Sequence, residues 1–325
     1  MLLELPATTP SDLASRAHAL REQQVRTWAL LGEGVTALEH VQTRQIPMPD
    51  FTMRVQFNPR RIISSAAKVD AKSIAQRPCF LCTANLPAEQ RGVSFNGDGY
   101  IVLCNPFPIL PEHFTVVTTD HRPQRIADSF AELLHLAAAV APRYTVFYNG
   151  PKCGASAPDH MHFQAGTRGF MTIESEFDRL KGDPLARNNG VTAYACACTR
   201  SFIAFESSDA TALEAAFRSL YRTLNDLVPQ DDEPMMNVLC WFDSAAWKVI
   251  IFPRAKHRPA FYFAEGDEKL LLSPASVDLG GVCIMPIERD FHRLSADHIT
   301  QMLKEVMLPP ETFRQLAERL RHYLT

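Results

Sequence analysis

Two stretches of the chain present the same order of elements, and that repetition limits the folds open to it. The first runs "YIVLC", "HFTVVTT", the helical "RIADSFAELLHLAAAVA", then "RYTVFYN" and "HMHFQAG": strand, strand, helix, strand, strand. The order recurs more loosely where "TAYACACTRSFIAFES" and "PMMNVLCWFDSAAWKVIIFPR" flank the helix "DATALEAAFRSLYRTLNDLV". This suggests an internal duplication with a boundary near residue 190, in "LKGDPLARNNGV". Strands and helices joined by short Pro or Gly turns argue for an α+β fold with mainly antiparallel sheet. Ahead of the repeat, "TPSDLASRAHALREQQVRTWALL" reads as a helix with Thr9 as N-cap and Pro10 at its first position. Behind it, "LLLSPASVDLGGVCIMP" reads as hairpin-like, followed by two short helices, the first capped by Ser295.

Composition excludes more than it assigns. The chain has 325 residues, 21% charged, with a formal net charge of -3, so no global field favours nucleic acid or a membrane surface. No apolar run reaches the length of a membrane span, and the N-terminus lacks the basic-then-apolar pattern of a signal peptide. Eight cysteines without an export signal argue against a disulfide scaffold. A reducing cytoplasm is the expected setting, with the cysteines buried or holding metal.

"PCFLC" gives Cys79-x-x-Cys82, a spacing at which a tight turn brings two thiolates to one side of a metal ion. The pair is half a site. A redox pair or two unrelated buried thiols remain open readings, although no thioredoxin-like βαβ context is present. His121 and His160 could complete the set, and thiolate plus imidazole suits zinc. Cys196 and Cys198, two apart, read as thiols on the buried face of one strand. Cys104, Cys153, Cys240 and Cys283 read as packing residues.

In "HMHFQ", His160, His162 and Gln164 fall on one face of an extended segment while Met161 and Phe163 fall on the other. Packing explains a solitary histidine more easily than two followed by glutamine. The motif resembles the H-x-H-x-Q of the histidine-triad (HIT) superfamily, in the branch of galactose-1-phosphate uridylyltransferases and dinucleoside polyphosphate phosphorylases. "CFLCTAN" resembles the zinc-binding Cys-x-x-Cys of the uridylyltransferases. "NPFPILPEHFTVVTTDH" resembles the HIT hairpin whose closing histidine is a zinc ligand, and "FYNGPKCGAS" their asparagine and glycine-serine loop. "YN…GA…H-x-HFQA" is also similar to GDP-hexose phosphorylases. The resemblance covers roughly residues 55 to 170.

That resemblance implies a HIT-like, uridylyltransferase-like fold of two fused halves. They would follow an N-terminal helical segment (1–40) as a catalytic half with a zinc site (41–189) and a degenerate second half (190–325). It makes His162 the nucleophile that attacks the α-phosphorus of a nucleotide to form a nucleotidyl-histidine. Zinc, in a structural role, would be held by Cys79, Cys82, His121 and His160. Gln164 would donate to a phosphoryl oxygen, and Asn149, Gly154 and Ser156 would meet the same phosphates. Arg60, Arg61 and Lys68 of the basic loop "NPRRIISSAAKVDAK" could neutralise them, or be a solvated loop. His113 and His135 read as structural.

The implied activity is transfer from a nucleoside diphosphate sugar or dinucleoside polyphosphate to inorganic phosphate or a sugar phosphate. Both a monomer and a homodimer are compatible with it. Met161 and Phe163 stand where uridylyltransferases usually have Pro and Gly, and Asp159 looks like an insertion, which moves the chain toward the phosphorylases. HIT nucleotide hydrolases normally carry a third histidine where this chain has Gln164, which favours transfer over hydrolysis. A non-catalytic, zinc-stabilised nucleotide-binding protein is the remaining alternative. "KVIIFPRAKHRP" resembles a HIT strand without its histidines, and its cluster of Arg254, Lys256, His257 and Arg258 is a candidate anion site.

Overall fold

The duplicated element order becomes one continuous sheet in the computed structural model, which describes residues 2–3, 11–62, 70–97 and 99–324. Its strands are β3 (Gly92–Phe95), β4 (Tyr100–Cys104), β5 (His113–Thr118), β6 (Tyr144–Asn149), β7 (His162–Thr167), β8 (Pro184–Asn188), β9 (Val191–Cys196), β10 (Phe202–Ser207), β11 (Met236–Asp243) and β12 (Ala246–Pro253). Their spatial order is β3-β4-β5-β7-β6-β11-β12-β10-β9-β8. Read outward from the middle, each half has the same arrangement, and the halves meet where β6 pairs antiparallel with β11. The fold is α+β with two related halves, as expected.

Both faces of this sheet are buried, so its central strands are apolar at nearly every position rather than alternating. Val249 and Ile251 of β12 enter one core, shared with the helices Leu13–Thr27, Phe130–Ala139, Ala210–Leu227 and Pro310–Leu324. Ile250 and Phe252 enter the opposite core. That second face is covered by the helices Thr172–Leu180 and Ala296–Val306 and by a small sheet. The small sheet is β1 (Gln42–Pro47), β2 (Thr52–Phe57) and β13 (Val282–Met285), with β13 parallel to β2.

Several local expectations change. Thr9 and Pro10 lie outside the described residues; the first helix starts at Leu13, where Asp12 accepts from the Ser15 N–H. It ends at Thr27, because Trp28 is extended and buried, and a second helix, Ala29–Glu39, follows. Gly34 lets that helix rest on the proline turn after β4: a Cβ there would lie 2.5 Å from the Pro106 carbonyl oxygen. Residues 270–286 do not form a hairpin. Asp278 accepts from the Ala275 and Ile284 N–H groups, which folds Ser276–Leu279 into one helical turn and sends β13 to β2. Cys198 is not on a strand with Cys196; it lies in the turn beyond β9, with the two sulfurs 3.1 Å apart. Ser295 caps Ala296–Val306 as expected.

Candidate active site and metal centre

β7 lies between β5 and β6, and its period-2 alternation sorts its side chains. Met161, Phe163 and Ala165 enter the helix-covered core. His162 and Gln164 face a cavity of about 420 Å³. His160 departs from this row. It precedes the strand in a turn closed by its own N–H donating to the Ala157 carbonyl, and its ring points to the thiols instead. One short segment therefore serves two sites.

The fully buried Gln124 ties β7 down. Its Oε1 accepts from the His162 N–H at 2.8 Å, and its Nε2 donates to the carbonyls of His162 and Asn149, both at 3.0 Å. It mimics a strand between the ends of β6 and β7. The His162 ring lies 2.8 Å, through Nδ1, from the His160 carbonyl oxygen. A carbonyl only accepts, so Nδ1 carries the proton and the Nε2 lone pair is free. Burial holds this imidazole down to about 4, so it is neutral at physiological pH.

Two side-chain amides beside it are oriented by the same logic. The oxygen of Gln164 accepts from His113 Nε2 at 2.8 Å, while His113 Nδ1 accepts from the Ile109 N–H at 3.4 Å. The oxygen of Asn149 accepts from Asn237 Nδ2 and from the Ser276 N–H, each at 2.9 Å. Asn237 is oriented in turn by Arg254, whose Nη1 donates to its oxygen at 2.5 Å. With both oxygens engaged, both NH₂ groups remain as donors for an anion in the cavity.

Gly154, Ser156 and Arg61 line the same cavity. Gly154 has φ 101°, and a Cβ there would lie 2.6 Å from that of Ala275, so a side chain is excluded twice. Arg61 keeps a buried Nε with no hydrogen-bond partner among the described residues. Arg60 does not join it: consecutive residues of a 3₁₀ turn diverge, and Arg60 ion-pairs with Glu33 at 2.8 Å. Lys68 lies outside the described residues. Gln124, His113 and Asn237 carry no motif signal, since each acts through contacts made by distant strands.

The metal-ligating atoms of Cys79, Cys82, His121 and His160 all lie within 4.8 Å of one another. Around a tetrahedral ion, sulfur at ~2.3 Å and nitrogen at ~2.0 Å stand ~3.5 Å apart. The separations are 3.4 Å from Cys79 Sγ to His160 Nδ1, 3.5 Å from Cys82 Sγ to the same nitrogen, and 3.2 Å from Cys82 Sγ to His121 Nδ1. His160 Nε2 donates to the Thr118 carbonyl at 2.9 Å, leaving Nδ1 unprotonated for a metal. Asp159 faces the outer nitrogen of His121 at 3.9 Å and Arg77 at 3.8 Å. The donor set fits a tetrahedral ion.

The profile of a domain of unknown function (DUF4922) matches residues 20–167, and that of a GDPGP1-like, C-terminal domain matches residues 199–325. The chain shares the fold of solved structures of yeast Ap4A phosphorylase. Diadenosine 5',5'''-P1,P4-tetraphosphate phosphorylase 2 of Saccharomyces cerevisiae is 32% identical over 149 residues, which span 40% of this chain and 44% of that protein. Yeast Ap4A phosphorylase Apa2 in complex with Ap4A superposes with a TM-score of 0.59 at 22% identity, covering 89% of this chain and 97% of that one. Its complex with AMP gives a TM-score of 0.58 at 21% identity, over the same shares of the two chains.

The amide orientation is testable. In Asn237→Asp, one carboxylate oxygen keeps the bond to Arg254 while the other faces the Asn149 oxygen, which turns the Asn149 amide or removes its support. Phosphate affinity measured by calorimetry is expected to fall about tenfold or more, the scale of one lost preorganised donor. The melting temperature should fall as well, because the buried carboxylate oxygen meets the oxygens of Asn149 and Cys153 where the amide donated.

Proposed function

We propose that the protein is a nucleotidyltransferase of the phosphorylase type, acting on a dinucleoside polyphosphate or a nucleoside diphosphate sugar through nucleotidyl-His162. The observation that carries this reading is the neutral His162 ring, with Nδ1–H spent on the His160 carbonyl and Nε2 facing the cavity. The Nε2 lone pair attacks the α-phosphorus. An N–P bond forms, and the P–O bond to the leaving group breaks with its electron pair. The ring becomes cationic, and the carbonyl already holding Nδ1–H stabilises that charge without rearrangement. The amide donors of Gln164 and Asn149, with the Ser156 hydroxyl, meet the charge developing on the phosphoryl oxygens. An acceptor oxygen then attacks the same phosphorus, and the pair returns to Nε2. The relatives named for, or bound to, Ap4A and AMP support a nucleotide substrate.

Incubation with a dinucleoside polyphosphate or nucleoside diphosphate sugar, without acceptor, should add one nucleoside monophosphate to the intact mass. His162→Ala should add none. An unmodified wild-type mass across both substrate classes, or turnover by His162→Ala at the wild-type rate, would sink the proposal.

We assign the four-residue metal site to zinc in a structural role. The two thiolates and two imidazoles suit it, and His162 is not among its ligands. When bound, the ion clamps the Cys79–Cys82 loop to the turn that sets the His160 carbonyl. No helix among the described residues is long and apolar enough to cross a membrane. The eight free cysteines suit a reducing cytoplasm. Protein purified without chelator should contain about one zinc per chain by elemental analysis, and Cys79→Ser should lose it. A metal-free wild-type protein of normal thermal stability contradicts the assignment.

A further inference from the structure

Of the eight cysteines, two belong to the metal cluster, four are buried apart from one another, and one pair has no part in either arrangement. Cys196 ends β9 inside the second core. Cys198 lies in the turn beyond, packed against the same core but partly exposed. Their sulfurs are 3.1 Å apart, and Cys198 Sγ lies 3.2 Å from the Arg200 carbonyl oxygen.

Both ends of this short segment are held. Cys196 is fixed by the β9–β10 ladder, where it stands opposite Phe202. On the other side Arg200 is fully buried: its guanidinium donates to the Leu279 carbonyl at 3.1 Å, pairs with Glu176 at 3.2 Å and lies over the Phe51 ring at 4.1 Å. Thr199 between them donates to Asp50 Oδ2 at 3.4 Å. The sulfurs therefore need to close only the last ~1 Å to reach a bonded separation of ~2.05 Å.

The two thiols are also unequal. The Cys196 S–H donates to the Cys198 sulfur, which pulls the Cys198 thiol down to about 7 against the opposing effect of burial; the Arg200 guanidinium acts in the same direction. The same bond, together with burial, holds the Cys196 thiol well above its ordinary value. Burial also pushes up the thiols of Cys104, Cys153, Cys240 and Cys283. A partly exposed thiolate beside a protonated thiol is the arrangement in which one sulfur is oxidised and the other resolves it.

We propose that Cys196 and Cys198 form a redox-active dithiol that a hydroperoxide converts to a reversible disulfide. Cys198 is the attacking sulfur and Cys196 the resolving one. The Cys198 thiolate attacks the peroxide: an S–O bond forms, the O–O bond breaks with its electron pair, and the departing hydroxide takes a proton to replace the one Cys198 had shed. That leaves a sulfenic acid. The Cys196 sulfur then attacks the Cys198 sulfur, the S–O bond breaks, and hydroxide leaves with the Cys196 proton as water. With hydrogen peroxide, two thiols give one disulfide and two waters. In a reducing compartment such a disulfide is transient, which suits a sensor rather than a staple. Neither cysteine lines the cavity that His162 faces, so the pair can be oxidised whether or not His162 accepts a nucleotide.

The test uses the full chain, purified without chelator, with hydrogen peroxide as the probe. Samples quenched with an alkylating reagent are read after tryptic digestion, which places both cysteines in one peptide, residues 188–200. That peptide should become two hydrogens lighter and resist alkylation, about tenfold or more faster than any buried cysteine is oxidised. A small dithiol reductant should restore both thiols. In Cys196→Ser, Cys198 should stop at the sulfenic acid and be trapped by dimedone; in Cys198→Ser, Cys196 should stay reduced. A wild-type protein whose peptide 188–200 keeps both thiols under excess peroxide overturns the proposal without recourse to any variant. Oxidation of wild-type Cys198 past the sulfenic acid with Cys196 still open to alkylation also overturns it, as does oxidation of Cys196 at the wild-type rate in Cys198→Ser.

Discussion

The hydrogen bond from His162 Nδ1–H to the His160 carbonyl is the contact on which the rest of the site depends. It decides which ring nitrogen has a lone pair, and it exists because the chain turns at residues 157–160 before β7 begins. That turn also sends the His160 ring toward Cys79 and Cys82. A tetrahedral ion bound there would hold the His160 ring, the ring would fix the backbone, and the backbone carbonyl would fix the His162 ring. Only one covalent segment would link an ion there to His162, so a structural ion could set the orientation of that ring without touching it.

The duplicated architecture divides the labour. Pairing of β6 with β11 sets Asn149 opposite Asn237, and the second half reaches the cavity through that register. Arg254 then works in two directions from one buried position. It orients Asn237, and through it Asn149, and it shapes the loop that presents His257 and Arg258. The second half has no H-x-H-x-Q of its own. It keeps the pairing surface, and its Asn237 and Arg254 support Asn149 of the first half.

Much of this was legible in the sequence where a period or spacing carried it. The alternation of "HMHFQ" correctly separates Met161 and Phe163 from His162 and Gln164, because strand geometry forces the two faces apart. The cysteine spacing and the resemblance together name the four residues that the structure brings within metal-binding distance. Placing His160 on the same face as His162 was not justified, since the strand begins only at His162. Adjacent Arg60 and Arg61 could not be told apart either, because a single 3₁₀ turn decides which one meets the cavity. Gln124, His113 and Asn237 were beyond reach. A polar side chain that satisfies another residue's backbone or amide leaves no local pattern. The parallel pairing of β13 with β2 joins segments more than two hundred residues apart, and no turn signal marks it.

Nitrogen-15 NMR of histidine-labelled protein at neutral pH, with the His162 resonances assigned by comparison with a His162→Gln variant, tests the central claim most directly. The account predicts a neutral ring with the proton on Nδ1 and an unprotonated Nε2 whose shift changes when nucleotide is transferred to it. A His162 ring protonated on Nε2, or on both nitrogens, would contradict it.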